Sequence, residues 1–240
     1  MRTFGAKVLF FLNHLSYTGP QLPKNLEVYN PFKDLPQPIR IAAQFYDKYF
    51  NDTHRRCALF GINPFKWGAG VTGIPFTDYK RLQSECHIPY QGKASQENSS
   101  QFIYEMINEF GGVENFYHHF YFCWLCPLGF LDPSNPKDKG SAYYASGELS
   151  AIAIPLIVAN IRRQIAMGIR TDICVVIGSG ENDKMLRRLN DQYHFFEQVI
   201  TLDHPGYIVR YHNKDRNTYI RQYLETLKKA QKRVMPDEFT

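Results

Sequence analysis

The chain has 240 residues, 44% of them hydrophobic and 15% aromatic, enough to bury a sizeable core in one domain spanning residues 1–240. Lys and Arg outnumber Asp and Glu by 28 to 23, and the resulting formal charge of +5 suits a polyanionic partner. The apolar run at residues 8–12 meets Asn13 and His14 at once, so it is too short for a membrane span and lacks a secretory cleavage pattern; a soluble intracellular protein, in cytoplasm, nucleoid or nucleus, is expected.

In chain order, residues 29–38 hold three prolines and read as a leading loop, followed by a helix over 38–50. Four short apolar runs ending in turn residues read as strands at 57–62, 120–126, 173–177 and 198–202. Between them, 101–110, 150–167 and 183–190 have helical spacing, and 217–233 reads as a closing helix rich in Lys and Arg. This alternation predicts an α/β fold, a three-layer α/β/α sandwich around a four-stranded parallel sheet covered on both faces. Chemistry in such sheets collects beyond the carboxyl ends of the strands, here the loops at 63–76, 127–140, 178–182 and 204–210.

The first of these loops is the most distinctive. It leaves an apolar strand as Gly61-Ile62-Asn63-Pro64 and closes on Thr72-Gly73-Ile74-Pro75-Phe76, with Phe65, Trp67, Gly68 and Gly70 between. Glycines, prolines and rings in that density present backbone and aromatic faces to a flat ligand. After the second strand comes Leu125-Cys126-Pro127-Leu128, and after the fourth comes His204-Pro205.

Together these segments resemble the single-strand-selective monofunctional branch of the uracil-DNA glycosylase superfamily. The first loop is similar to that family's first motif at the same spacing, His204-Pro205 to the start of its second, Leu125-Cys126-Pro127-Leu128 to its Leu-Cys-Pro-Leu stretch, and Tyr29-Asn30-Pro31 to its leading segment. The resemblance covers roughly residues 29–227. It implies the uracil-DNA glycosylase-like fold and a monofunctional enzyme that hydrolyses the N-glycosidic bond of deaminated bases in DNA, uracil first, as the opening step of base excision repair. An alternative from another class is a non-catalytic DNA-lesion or single-strand-binding protein on the same scaffold.

The resemblance also implies roles. Asn63 would hold the attacking water through its amide carbonyl, a contribution of position rather than basicity. His204 would donate a hydrogen bond to the departing base as negative charge develops there. A base turned out of the DNA stack would meet Ile62, Gly73, Phe76 and Trp124, with Phe76 as the stacking ring. Tyr207, Arg210 and Tyr211 offer bulky groups and a cation for a duplex-probing wedge, although read alone the segment also fits loop packing. Ser179 and Gly180 precede a helix and present backbone amides for a phosphate.

Departures from the family pattern fall around the pocket. Trp124 stands where the family carries an Asn that reads the uracil edge, and Phe65-Lys66 replaces Gly-Pro. A pocket so altered is expected to accept a wider set, such as hypoxanthine or xanthine. Cys123 and Cys126 form a Cys-x-x-Cys spacing, but Cys57, Cys86 and Cys174 supply no second close pair, so buried reduced thiols are expected. His118 and His119 match no zinc signature with His204, and no metal or other cofactor is expected. No lysine stands in a motif for Schiff-base strand cleavage. The expected partner is DNA, single- or double-stranded, met by a monomer.

Overall fold

The computed structural model describes residues 2–92, 94 and 97–232. Helix α1 (Phe4–Asn13) starts where the Thr3 hydroxyl accepts the Ala6 amide, and it buries Phe4, Val8, Phe11 and Leu12 on one face. Strand β1 (Glu27–Tyr29) leads to α2 (Pro31–Asp34), which opens with Pro at its first position and the Asn30 side chain accepting the Phe32 amide. Next come α3 (Pro38–Tyr49) and β2 (Arg56–Gly61). The long loop after β2 holds α4 (Ala69–Thr72) and α5 (Tyr79–Ser84), and α6 (Asn98–Phe110) and α7 (Gly112–His119) lead to β3 (Phe120–Trp124). The remainder runs β4 (Gly129–Leu131), α8 (Gly147–Met167), β5 (Ile169–Ile177), α9 (Glu181–Tyr193), β6 (Val199–Leu202), α10 (Pro205–Tyr211) and α11 (Arg216–Lys232).

The four-stranded sheet is parallel with order β3-β2-β5-β6, as the alternation of elements predicts. Every residue of β2 and β3 is buried, which requires cover on both faces. Helix α1 contacts both α3 and α8, while α6, α10 and α11 all contact one another. By length and composition α8 would cross a bilayer, yet it is a core helix: Leu149, Ala153, Ile157 and Ile161 are buried, and so are the polar Asn160 and Gln164. Asn160 donates to the Trp124 and Leu125 carbonyls, both at 2.9 Å, and thereby fixes the chain where it leaves β3.

Several elements depart from the sequence-based expectation, among them the short α4 inside the stretch 63–76 expected as a loop. Strand β5 begins at Ile169 rather than at 173, because Arg170 pairs with Asp172 at 2.9 Å and the polar stretch rides in the strand. Residues 29–38, expected as a loop, include the end of β1 and all of α2. The segment after His204, also expected as a loop, is the helix α10. A second sheet pairs β1 with β4 antiparallel, Tyr29 opposite Gly129. Of the expected basic run at the C-terminus, Lys228, Lys229 and Lys232 lie on α11, while Arg233 lies outside the described residues.

Candidate active site

The strand register places Gly61 beside Trp124 and Ile177 beside Leu202, so the loops that follow these strands share one edge of the sheet. The chain leaves β2 for β3 on one side and later returns to β5 on the other, the topology at which α/β sheets open a crevice. A cavity of about 380 Å³ lies at this edge, lined among others by Ile62, Asn63, Phe76, Trp124 and His204.

Asn63 is 3% exposed and its amide is held on both sides. Nδ2 donates to the Ser141 carbonyl at 3.1 Å and the Pro64 carbonyl at 3.2 Å, while Oδ1 accepts the Tyr143 amide at 2.9 Å. Two carbonyls on one side and an N–H on the other fix which atom is oxygen. The one valence left to the side chain is the second lone pair of Oδ1. Tyr143 is itself anchored, its hydroxyl donating to Asn182 Oδ1 at 3.0 Å, and Asn182 Nδ2 donates to the Ile177 carbonyl at 3.2 Å. Through that chain of bonds, the loop after β4 and the start of α9 hold Asn63 in place.

His204 caps α10, and its Nδ1 accepts the Gly206 amide at 3.1 Å. An Nδ1 that accepts leaves the proton of the neutral ring on Nε2, where it can be donated. Burial pushes the imidazole down to about 4, so the ring is neutral at physiological pH. Phe76 lies beside it with ring centroids 5.9 Å apart, and Phe122 supports Phe76 from 5.2 Å. Phe76 adopts a left-handed backbone with φ of 57°, and a Cβ on Gly61 would come within 3.0 Å of its ring. That glycine is what allows the ring to lie over the strand end.

On the outer rim, α10 exposes Tyr207 and Tyr211, with rings 5.3 Å apart, and places the Arg210 guanidinium 5.9 Å from the Tyr211 ring. The Tyr207 hydroxyl meets His212 Nε2 at 3.0 Å, so the aromatic rim is internally braced. Of the residues singled out by sequence, Ile62, Asn63, Phe76, Trp124, His204, Tyr207, Arg210 and Tyr211 line this cavity. Gly73 does not: it ends α4 at φ of 79°, and a Cβ there would sit 2.9 Å from Phe32 and Pro38, so it serves the turn behind the pocket. Ser179 and Gly180 stand apart at the start of α9, with the Ser179 hydroxyl donating to Asp203 at 2.6 Å.

Sequence reasoning missed Glu97, a carboxyl in the cavity wall just before α6. Its Oε2 accepts the Ala69 amide at 3.1 Å, and burial raises it to about 7. No motif marks it, since its surroundings come from a loop almost thirty positions away in sequence. All five cysteines are free and buried, and burial pushes Cys57 and Cys126 up to about 12 and Cys86 up to about 11, which makes them poor nucleophiles. His118 gathers not with His204 but with His54 and Asp52, whose carboxylate is already bound by Arg56 at 2.7 and 2.8 Å.

A cavity at the carboxyl edge of a parallel sheet, floored by aromatic rings and carrying an immobilised amide and a neutral imidazole, defines a site for flat heterocycles. The chain belongs to the uracil-DNA glycosylase superfamily, whose family model matches residues 48–228. It is a DNA glycosylase, a hydrolase of N-glycosyl bonds that acts on DNA in base excision repair. Among solved structures 14 chains match. One is wild-type SMUG2 of Pedobacter heparinus, 48% identical, with a TM-score of 0.92 over 95% of this chain and 98% of that one. No curated protein matches.

Proposed function

We propose that the enzyme is monofunctional and releases uracil from DNA by hydrolysis, with hypoxanthine and xanthine as further substrates, leaving an abasic site. The observation that carries this reading is that Asn63 and His204 line one cavity with complementary unused valences, an acceptor on Oδ1 and a donor on Nε2. The sugar developing oxocarbenium character needs only a placed water, which Oδ1 orients without acting as a strong base. The base leaves as an anion, and a neutral imidazole N–H binds its oxygen more strongly as charge accumulates. Phe76 stacks on the extruded base and the Ile62 amide faces it. Tyr207 and Tyr211 fill the vacated stack while Arg210 meets a phosphate, and the Ser179–Gly180 amides at the start of α9 meet another. A monomer suffices, since these groups come from one chain.

The test is release of free base from labelled oligonucleotides containing uracil, hypoxanthine or xanthine, single- and double-stranded. Release that collapses in Asn63→Ala and in His204→Ala is the expected outcome. Tight binding with no release from any substrate would instead make the chain a lesion-binding protein on this scaffold.

A further inference from the structure

Among the described residues Glu97 is the one carboxyl in the cavity lining, and the reading just given leaves it without a task. Its backbone N–H donates to Asp78 Oδ2 at 2.9 Å, and its Oε2 accepts the Ala69 N–H at 3.1 Å. The residue is therefore held by the start of α5 and by the loop after β2, and the Ser99 side chain also hydrogen-bonds the carboxyl, whose Oε1 is the oxygen that the Ala69 bond leaves over. A Cβ on Gly68 would fall 2.4 Å from Oε2, so the loop is shaped to admit this carboxyl. Asn63 has spent both amide protons on carbonyls, Trp124 brings a ring with one N–H, and His204 is committed to one oxygen of the base. A base edge entering this cavity thus meets few side chains able to test what it carries.

We propose that Glu97 reads the extruded base as a neutral acid, its Oε1 hydroxyl donating a hydrogen bond to a base carbonyl oxygen and so selecting deaminated bases. Deamination makes one change in every case: an exocyclic amino group, a donor, becomes a carbonyl, an acceptor. Cytosine becomes uracil, adenine hypoxanthine and guanine xanthine. An O–H donor at the edge of the pocket accepts each product and rejects each parent, because donor would face donor. The same neutrality serves the leaving group, since an ionised carboxylate in the cavity would repel the departing anion. Burial, the largest cause, and the nearby Asp78 carboxylate raise this carboxyl to about 7 against the lowering pull of the Ala69 N–H and Ser99 hydrogen bonds. The other ionisable groups around it are Arg81, paired with Asp78 at 3.4 Å, and His204, Tyr207, Arg210 and Tyr211 across the cavity.

This inference rests on the glycosylase reading, and the experiment separates the two. Uracil release from a single-stranded oligonucleotide is followed from about pH 6 to about pH 9 for wild type, Glu97→Gln and Glu97→Ala. Wild-type kcat/KM should fall by at least about tenfold as the carboxyl ionises. E97Q keeps a donor at every pH and cannot ionise, so its alkaline limb should vanish and it should exceed wild type by about tenfold near pH 9. E97A should lie about tenfold below wild type near pH 6 and be flat. An E97A profile that follows wild type at every pH, or an E97Q profile that keeps the alkaline limb, overturns the proposal. Equal collapse of both variants at all pH values also overturns it, by making Glu97 a support for the loop alone. No release by wild type removes the glycosylase reading and this inference with it.

Discussion

The two edges of the sheet handle buried polar groups in opposite ways. At the amino edge, Arg56 is fully buried and spends its donors on Asp52, the Tyr117 carbonyl at 2.7 Å and the His54 carbonyl at 3.0 Å, with its guanidinium 4.6 Å from the Phe50 ring centre. Asp52 answers it with both oxygens, and its carboxyl is held below the usual range despite partial burial. At the carboxyl edge, Asn63 and His204 are held just as firmly, yet each keeps one valence facing the cavity. The first edge closes its hydrogen-bond accounts within the protein, and the second leaves them open for a substrate. An active site differs here from a structural cluster by one uncommitted atom per residue.

Breaking the open edge should show the largest effect. Asn63→Ala removes the carbonyl proposed to hold the water and is expected to lower base release by about 1000-fold. It also orphans the Tyr143 N–H and two carbonyls, so a loss of about 1–3 kcal/mol in denaturant unfolding should accompany it. Unchanged release in this variant would dissolve the contrast between the edges. Breaking the closed edge should touch stability alone. Asp52→Asn leaves the Arg56 cation without its counter-charge, and we expect a loss of about 3 kcal/mol with kcat preserved in the folded fraction. A fall in kcat without a fall in stability would show that the amino edge reaches the chemistry.

The next pair sharpens the comparison at one residue. His204→Ala should lose about 100-fold in release and about 1 kcal/mol through the lost cap of α10. His204→Asn restores the cap, because Asn is among the best residues at that position, so its stability should return while release stays low. If both quantities return together, His204 is a cap and not a donor. The smallest effect is a pH dependence of stability. The His204 imidazole is lowered to about 4, so between that value and about 6.5 the unfolded chain binds the extra proton. Its contribution is complete above about pH 6.5 and is lost as pH falls toward 4. Glu97 has the opposite sign: raised to about 7, it holds its proton in the folded state, and its contribution is lost as pH rises through 7. Unfolding midpoints of wild type against His204→Asn and Glu97→Gln, followed across these windows, check both signs.

Much of the sheet was legible because strands buried on both faces are continuous apolar runs bounded by turn residues. Boundaries blurred where polar residues satisfy one another, as Arg170 and Asp172 do at the start of β5. The pairing of β1 with β4 was invisible, since three-residue strands carry no period. Pro205-Gly206 reads as a turn, yet Pro at the first helical position with His204 as cap begins α10. Asn63, Phe76 and His204 were findable because each stands in a short contiguous motif, although the partners that hold Asn63, Ser141 and Tyr143, lie in a distant loop. Glu97 was not: its partners Ala69 and Asp78 lie in other segments, and a lone acid in a polar stretch looks like any solvated residue.

Asn160 grips the chain at Trp124 and Leu125 through their carbonyls and asks nothing of the side chain at position 124. The path of the strand and the shape of the pocket floor are thereby inherited separately. On the proposed reading of the pocket, a single substitution at 124 is expected to alter which lesion fits while the main chain stays where Asn160 holds it. This scaffold can explore new substrates in small evolutionary steps, without first having to become a different fold.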